Sequence, residues 1–345
     1  SGTSPGRSAE RLASARRLRN GVLRFVARRA LQAVVVAFAV ATIAFLLIHA
    51  APGDPLAPLP GDPPELAAAR EALRHSYGLD RPLASQYPIM LWSMARGDFG
   101  VSFTDGRPVR TVLGGAISRT LLLMTPALVL GALLGAGLGT WQGARRGRLP
   151  DRAVSATSLA ILSLPEFLLA LLISTTFALA LGWFPATGMR DSAAPRDLPL
   201  ASAIGDVAWH AALPVATLAL IIAAIVARYQ RAAVADAMEE DFVRAARARG
   251  ASPRRVLIRH VLRRTLGSLC AVVGLIAPVV VSGQALVEMV FNWPGAGTAL
   301  LAAVYGRDYP VVIGLVVVGS AAVSAATALA DIGAAVANPT VRAAA

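Results

Sequence analysis

Three carboxylates of this 345-residue chain, Glu166, Glu288 and Asp331, fall within or at the edges of long apolar runs. A charge in such a setting is costly unless it lines a cavity or is paired. Glu166, which follows Pro165 near the middle of its run, is therefore read either as a pathway residue or as a structurally paired or protonated carboxyl. Glu288 and Asp331 lie at run ends, where pairing with an arginine is the expectation. His49 and His210 also lie at run ends. They are far apart and have no carboxylate at ligand spacing, so hydrogen bonds to nearby backbone are expected and no metal site is assigned. Ser, His and Asp occur without a nucleophile-elbow pattern, and there is no His-Glu-x-x-His, so no catalytic residue is assigned. All 33 basic residues are arginine. The absence of lysine excludes a Walker A phosphate loop and a lysine nucleophile or Schiff base in this chain. The single cysteine, Cys270, excludes an internal disulfide.

The elements that must hold these residues are membrane helices. The chain is 56% hydrophobic and 15% charged, with mean hydropathy +0.60, against about 25% charged in soluble domains. Six apolar stretches, 30–51, 120–141, 153–184, 209–227, 266–288 and 311–336, meet or approach the roughly 20 residues that a bilayer helix needs. Splitting the third at Pro165 leaves a first piece too short to cross, so one tilted or kinked span is expected there. Arginine placement sets the orientation, because cytoplasmic loops are enriched in basic residues. Residues 1–29, 142–152, 228–264 and the tail hold 23 arginines against 6 acids, whereas 52–119, 185–208 and 289–310 hold 10 against 11. The expected fold is an all-α, six-span membrane protein with both termini cytoplasmic. The net charge of +13 is an orientation signal before it is a nucleic-acid signal.

Residues 1–29 form a basic cytoplasmic arm, 30–336 the membrane domain and 337–345 a tail. Within the domain, 52–119 is an outer cap with turn chemistry at Pro52-Gly53-Asp54-Pro55 and at Pro60 to Pro64, followed by a short amphipathic helix from Glu65 to His75. Gly131, Gly135 and Gly139 recur at i, i+4 and permit close helix approach, within the chain or at a partner. The 228–264 loop carries the most information. Arg228 to Arg249 is helix-compatible, Gly250 can end that helix in a left-handed conformation, and Ser252 and Pro253 supply an N-cap and an N1 proline for the next. In the second helix Leu257, Ile258, Val261 and Leu262 form an apolar face, and Arg255, Arg259 and Arg263 a basic stripe. Basic stripes also meet nucleic-acid phosphate, but a tether between two bilayer spans argues against a DNA-binding role. A loop lying on anionic lipid is the plainer alternative.

At this loop the chain resembles the membrane permeases of ATP-binding-cassette importers, of the peptide, oligopeptide and nickel family. The resemblance rests on Asp241-Phe242-Val243-Arg244-Ala245-Ala246-Arg247-Ala248-Arg249-Gly250, similar to the family's Glu-Ala-Ala, three residues, Gly motif, with Arg244 in place of the glutamate. His260-Val261-Leu262-Arg263 departs from the family's later Ile-x-Leu-Pro. It extends along nearly the whole chain from about Val22, through His49 to Pro55, Tyr77 to Leu83, Gly97 to Phe103, His210 to Pro214, Glu288 to Gly297, Arg307 to Pro310, and Asp331 to Pro339.

The resemblance implies a multi-pass subunit of the bacterial cytoplasmic membrane that pairs with a second, similar permease. It would dock two phosphate-loop ATPases, separate or fused, and receive substrate from an extracytoplasmic binding protein. No cofactor is implied in this chain; ATP and magnesium belong to the ATPases. The docking element would be Asp241, Phe242, Arg244, Ala245, Ala246, Gly250, Ser252 and Pro253, and the pathway lining Pro165, Glu166, Pro278 and Gly283. The same spans could serve peptide, nickel-chelate, glutathione or haem carriers. The competing function is a stand-alone ion-coupled transporter or channel using Glu166; an intramembrane enzyme has no catalytic pair to support it.

Overall fold

Apolar runs in a bilayer must satisfy their backbone hydrogen bonds internally, which favours helices, and helices account for nearly all the regular structure. The computed structural model describes residues 5–50, 68, 71–72, 74–75, 78, 80–193, 195, 199–282 and 284–337. Helix α1 (Pro5–Ala50) is followed by α2 (Leu83–Ala95), α3 (Val109–Gly143), α4 (Leu149–Ser163) and α5 (Glu166–Ile173), which continues as a π-wound stretch, Ser174–Ala180. Next come α6 (Leu200–Glu239), α7 (Asp241–Ala248) and the single turn α8 (Pro253–Arg255), which leads through a π-wound stretch, Val256–Val261, into α9 (Leu262–Ser282). The chain then forms α10 (Ala285–Val290), α11 (Ala296–Tyr305) and α12 (Tyr309–Ala337). Among the described residues the only β pairing is an isolated bridge between Val101 and Pro108.

Ala27–Leu47, Val109–Gly143, Leu200–Glu239 and Tyr309–Ala330 are long and apolar enough to cross a bilayer, and the α4–α5 pair makes a fifth span if counted as one. That pair departs from the expected tilted or kinked span: the two helices meet at 108°. Pro165 forces its neighbour out of the helical region, and Leu164 is extended at φ −82°, ψ 137°. The apolar stretch 266–288 is likewise divided, because α9 ends at Ser282 and α10 begins at Ala285. The amphipathic helix expected from Glu65 to His75 lies largely outside the described residues.

Helices α3 and α6 pack along a seam of small residues. The seam comprises Gly131, Gly135 and Gly139, joined by Gly143. A Cβ on Gly139 would stand 2.5 Å from the Ala227 carbonyl oxygen and 2.8 Å from Gln230 Cβ, and one on Gly135 2.7 Å from both the Ala223 oxygen and Val226 Cβ. The glycine periodicity therefore serves contact within the chain. Around the seam, Leu123, Met124 and Ala127 of α3, Leu169 and Ala170 of α5, Leu218, Ile222 and Val226 of α6, and Phe291 and Trp293 form the principal core. A second cluster, Val109, Leu113, Ala116, Ala303, Val311 and Leu315, joins α3, α11 and α12. The outward faces stay apolar: Leu31, Leu47, Leu133 and Leu275 are all exposed, as lipid or partner contact requires.

The seam yields a paired prediction. Gly139→Val should overpack the α3–α6 contact at a cost of about 1–3 kcal/mol, read as a lowered melting temperature in detergent. Gly137→Ala, one position pair away and with open space around it, should melt like the wild type.

Candidate functional site

The 228–264 segment folds into a short helix presented at the end of a long one. Helix α6 stops at Glu239, and Glu240 is extended at φ −68°, ψ 153°, so the expected continuous helix from Arg228 to Arg249 is broken. Glu240 and Asp241 stand at the N-terminus of the new helix, where carboxylates complement the helix dipole. In α7, Val243 and Ala246 are fully buried against Val234 and Ala237 of α6 and against Val256 and Val261, with Phe242, Ala251 and Leu257 packed around them. Arg244 pairs with Asp241 on the exposed side, and Ala245, Arg247, Ala248 and Arg249 are also exposed.

The turn that follows is set by local chemistry. Gly250 has φ +81°, a conformation costly for residues with a Cβ. The Gly250 N–H donates to the Arg247 oxygen at 2.9 Å and the Ala251 N–H to the Ala246 oxygen at 3.1 Å, the two bonds of a Schellman cap. Ser252 then caps the next turn, its Oγ accepting from the Arg255 N–H at 3.4 Å, with Pro253 in the first turn. Asp241, Arg244, Ala245, Gly250, Ser252 and Pro253 thus lie on one exposed apex, while Phe242 is half-buried and Ala246 anchors the apex from beneath.

Two ion pairs fasten this apex to the neighbouring segment between α3 and α4. Asp151, 1% exposed, receives Arg231 Nε at 2.5 Å and a terminal guanidinium nitrogen at 2.8 Å, together with the Gly147 N–H at 2.9 Å. Arg146 meets Glu239, the last residue of α6, at 3.1 Å on the surface. The buried bidentate pair has the geometry that makes such contacts specific. It joins the head of α4 to the stem of the apex.

At the break between α4 and α5, Pro165 precedes the helix and Glu166 occupies its first turn. Gln284, with its amide turned so that nitrogen faces the carboxylate, donates to both Glu166 oxygens at 2.8 Å. The structure therefore brings Pro165 and Glu166 to the second break, between α9 and α10. Pro278 is half-buried inside α9, and Gly283 lies outside the described residues. Gln284 was not identified from sequence; its only local signal is the Ser-Gly turn dipeptide before it.

Glu288 overturns its expectation. It is wholly buried and pairs with no arginine among the described residues. Its oxygens accept from Thr120 Oγ1 at 2.6 Å and from the Gly297 and Thr298 N–H groups at 2.9 and 3.1 Å, capping the N-terminus of α11. A carboxylate satisfied by two N–H groups of a helix start needs no cation, and Arg119 instead donates to the Pro294 oxygen at 3.3 Å. The histidines do bond backbone: His49 Nδ1 lies 2.8 Å from the Phe45 oxygen and His210 Nδ1 2.9 Å from the Asp206 oxygen. His210 is also 3.0 Å from the Asp206 carboxylate. Asp331 side-chain contacts lie outside the described residues. Among the described residues no group of three or more metal-ligating side chains converges.

The sequence has known relatives. Residues 127–343 match the family described as the binding-protein-dependent transport system inner membrane component, and residues 22–123 match the N-terminal component of the same kind of system. The chain is 32% identical over 316 residues to the oligopeptide transport system permease protein AppB of Bacillus subtilis, covering 91% of this chain and 98% of that protein. It is 34% identical over 291 residues to the glutathione transport system permease protein GsiC of Escherichia coli K12, covering 84% and 90%. With both family matches spanning nearly its whole length, the chain belongs to the inner membrane components of binding-protein-dependent transport systems.

Proposed function

We propose that this chain forms half of the translocation pathway of an ATP-driven importer of peptides or solutes of similar size. As a permease subunit it is not an enzyme, and separate subunits hydrolyse ATP with their own bound magnesium. The peptide assignment is carried from AppB and GsiC, named for oligopeptide and glutathione transport, the latter substrate itself a tripeptide. In this reading the chain crosses the bacterial inner membrane six times. Besides the four long apolar helices and the bent α4–α5 pair, α9 supplies the sixth crossing; its 21 residues reach about 32 Å at 1.5 Å per residue. Both termini then face the cytoplasm, in keeping with the 23 arginines on that side. A second permease completes the pathway, and two ATPase domains sit beneath the pair.

The observation that carries the reading is the α7 apex. It is short, anchored by Val243 and Ala246, locked by the Gly250 cap, and fastened to α4 through Asp151 and Arg231. A rigid element at the end of α6 can pass a push from an ATPase into the membrane as rigid-body motion. Asp241, Phe242, Arg244, Ala245, Ala246, Gly250, Ser252 and Pro253 are assigned to docking. Pro165, Glu166, Pro278 and Gly283, now with Gln284, are assigned to the pathway. Unwound backbone at the meeting of two helix breaks is tolerated where it lines a cavity, which favours this placement.

Two substitutions test the assignments. No neighbour comes within 4 Å of a Cβ at Gly250, so Gly250→Val acts only through backbone strain, at about 1–2 kcal/mol. It should lower ATP-driven uptake in proteoliposomes at least tenfold, while Gly250→Asn, which tolerates a left-handed backbone, should retain most of it. Equal uptake in both variants would remove the turn from coupling. Glu166→Leu should reduce uptake at least tenfold with the complex still assembling; undiminished uptake would remove Glu166 from the pathway.

A further inference from the structure

A cavity of about 710 Å³ opens at the outer end of the bundle, between the C-terminal end of α1, helix α2 and the starts of α3 and α12. This is within the 300–1,000 Å³ range typical of small-molecule sites. Its lining includes the apolar side chains of Phe45 from α1, Met90 and Met94 from α2, Phe99 from the loop after it, and Ile313 from α12, beside the polar His49, Gln86 and Ser93. Two guanidiniums, Arg96 and Arg110, also line it. Both are exposed, and neither forms an ion pair with any described residue; Arg96 lies 4.4 Å from the centre of the Trp92 ring. One carboxylate, Asp98, also lines the cavity. Its Oδ1 accepts the Gly100 N–H at 2.9 Å; two arginines against this one aspartate leave the lining with an excess of one positive charge.

The cavity lies where the apolar span of α1, which ends at Leu47, gives way to His49, and where helices α3 and α12 begin at Val109 and Tyr309. Beside it, Leu83, Ile89 and Trp92 of α2 are exposed, as are Leu46 and Leu47 of α1. Tryptophan and tyrosine beside such span ends mark the membrane interface, and Tyr87, in ring contact with Phe45 at 5.2 Å, extends the belt. Helix α2 is fixed to α1 there by a hydrogen bond between Tyr87 and Thr42 at 2.5 Å and by His49 Nε2, 3.1 Å from Gln86 Oε1. A lining that combines these apolar side chains with two guanidiniums, beside the ends of apolar spans, matches an amphiphile whose head is a phosphate and whose tail is an acyl chain.

We propose that this cavity is a binding site for an anionic phospholipid of the outer leaflet, with the phosphate at Arg96 and Arg110 and an acyl chain along Met90, Met94 and Ile313. It rests on the outward orientation given above for residues 52–119. The chemistry shared with a free phosphate ion is the arginine pair; the acyl wall is what makes the site one for lipid.

The test uses the complete transporter, with both permeases and the ATPases, delipidated and titrated with phosphatidylglycerol or phosphatidylcholine of identical chains and read by native mass spectrometry. Wild type should retain one more phosphatidylglycerol than the Arg96→Gln, Arg110→Gln double variant, whose apparent affinity should fall at least tenfold, and phosphatidylcholine should bind both weakly. Because both arginines are exposed, unchanged basal ATP hydrolysis in the variant verifies folding. Equal phosphatidylglycerol retention in the two proteins would overturn the proposal. So would phosphatidylcholine binding as strongly as phosphatidylglycerol, full competition by inorganic phosphate at equal concentration, or a cross-link showing that the second permease fills the cavity. Labelling of Ala84→Cys by a membrane-impermeant maleimide reads the orientation separately, and uptake assays read the transport function, so failure of the lipid site is distinguishable from failure of either.

Discussion

Close backbone approach between α3 and α6 is the constraint on which the rest of the architecture depends. Lipid tails are as apolar as the side chains they would replace, so helix association in a bilayer draws on packing rather than on a hydrophobic gain. Four glycines at i, i+4 spacing give α3 that packing, letting it lie against Ala219, Ala223, Ala227 and Arg231 of α6. With α6 held over its length, its last turns become a stem rigid enough to carry α7. The core cluster that includes Phe291 and Trp293 is organised around the same pair.

Polar contacts convert this packed pair into a connected frame. Glu288 joins α10 to α3 through Thr120 and to the start of α11 through two N–H groups. Asp308 does similar work at the far end of α3, accepting from Ser102 and, at 2.7 Å, from Thr104 Oγ1, which pins the loop between α2 and α3 to the beginning of α12. Asp151 and Arg231 tie the head of α4 to α6 at the opposite end. Each of these carboxylates is almost fully buried, and a buried charge persists only when paired or richly hydrogen-bonded. The breaks at Leu164–Pro165 and after Ser282 sit between these fixed points. Motion can be concentrated at such breaks because the segments on either side are constrained.

Local signals were legible in the sequence and distant partnerships were not. Apolar runs, arginine asymmetry and glycine spacing indicated an all-helical membrane chain. Gly250, Ser252 and Pro253 disclosed the turn between two loop helices, because capping is decided by a few consecutive residues. The break at Glu240 escaped notice: helix-forming residues lie on both sides, and the restart depends on burying Val243 and Ala246 against a helix reached later in the chain. Pro165 was visible, but proline alone did not distinguish a kink from the observed sharp bend. Glu288 was read as an arginine partner because a charge at a span end invites one; its actual partners include Thr120, 168 positions away. The pairing of Glu166 with Gln284 and that of Asp151 with Arg231 likewise join residues far apart in sequence, which no periodicity reports.

The claim that the exposed apex of α7 receives the ATPase is tested most directly by site-specific cross-linking in the assembled transporter. Ala245→Cys, on the exposed face and away from the buried anchors, would be paired with single cysteines introduced across the ATPase surface. The account predicts a one-to-one adduct between this chain and an ATPase subunit, formed at this position and not at a control cysteine on the outer segment. Fully assembled, transport-competent complexes that give no such adduct at any ATPase position would contradict it.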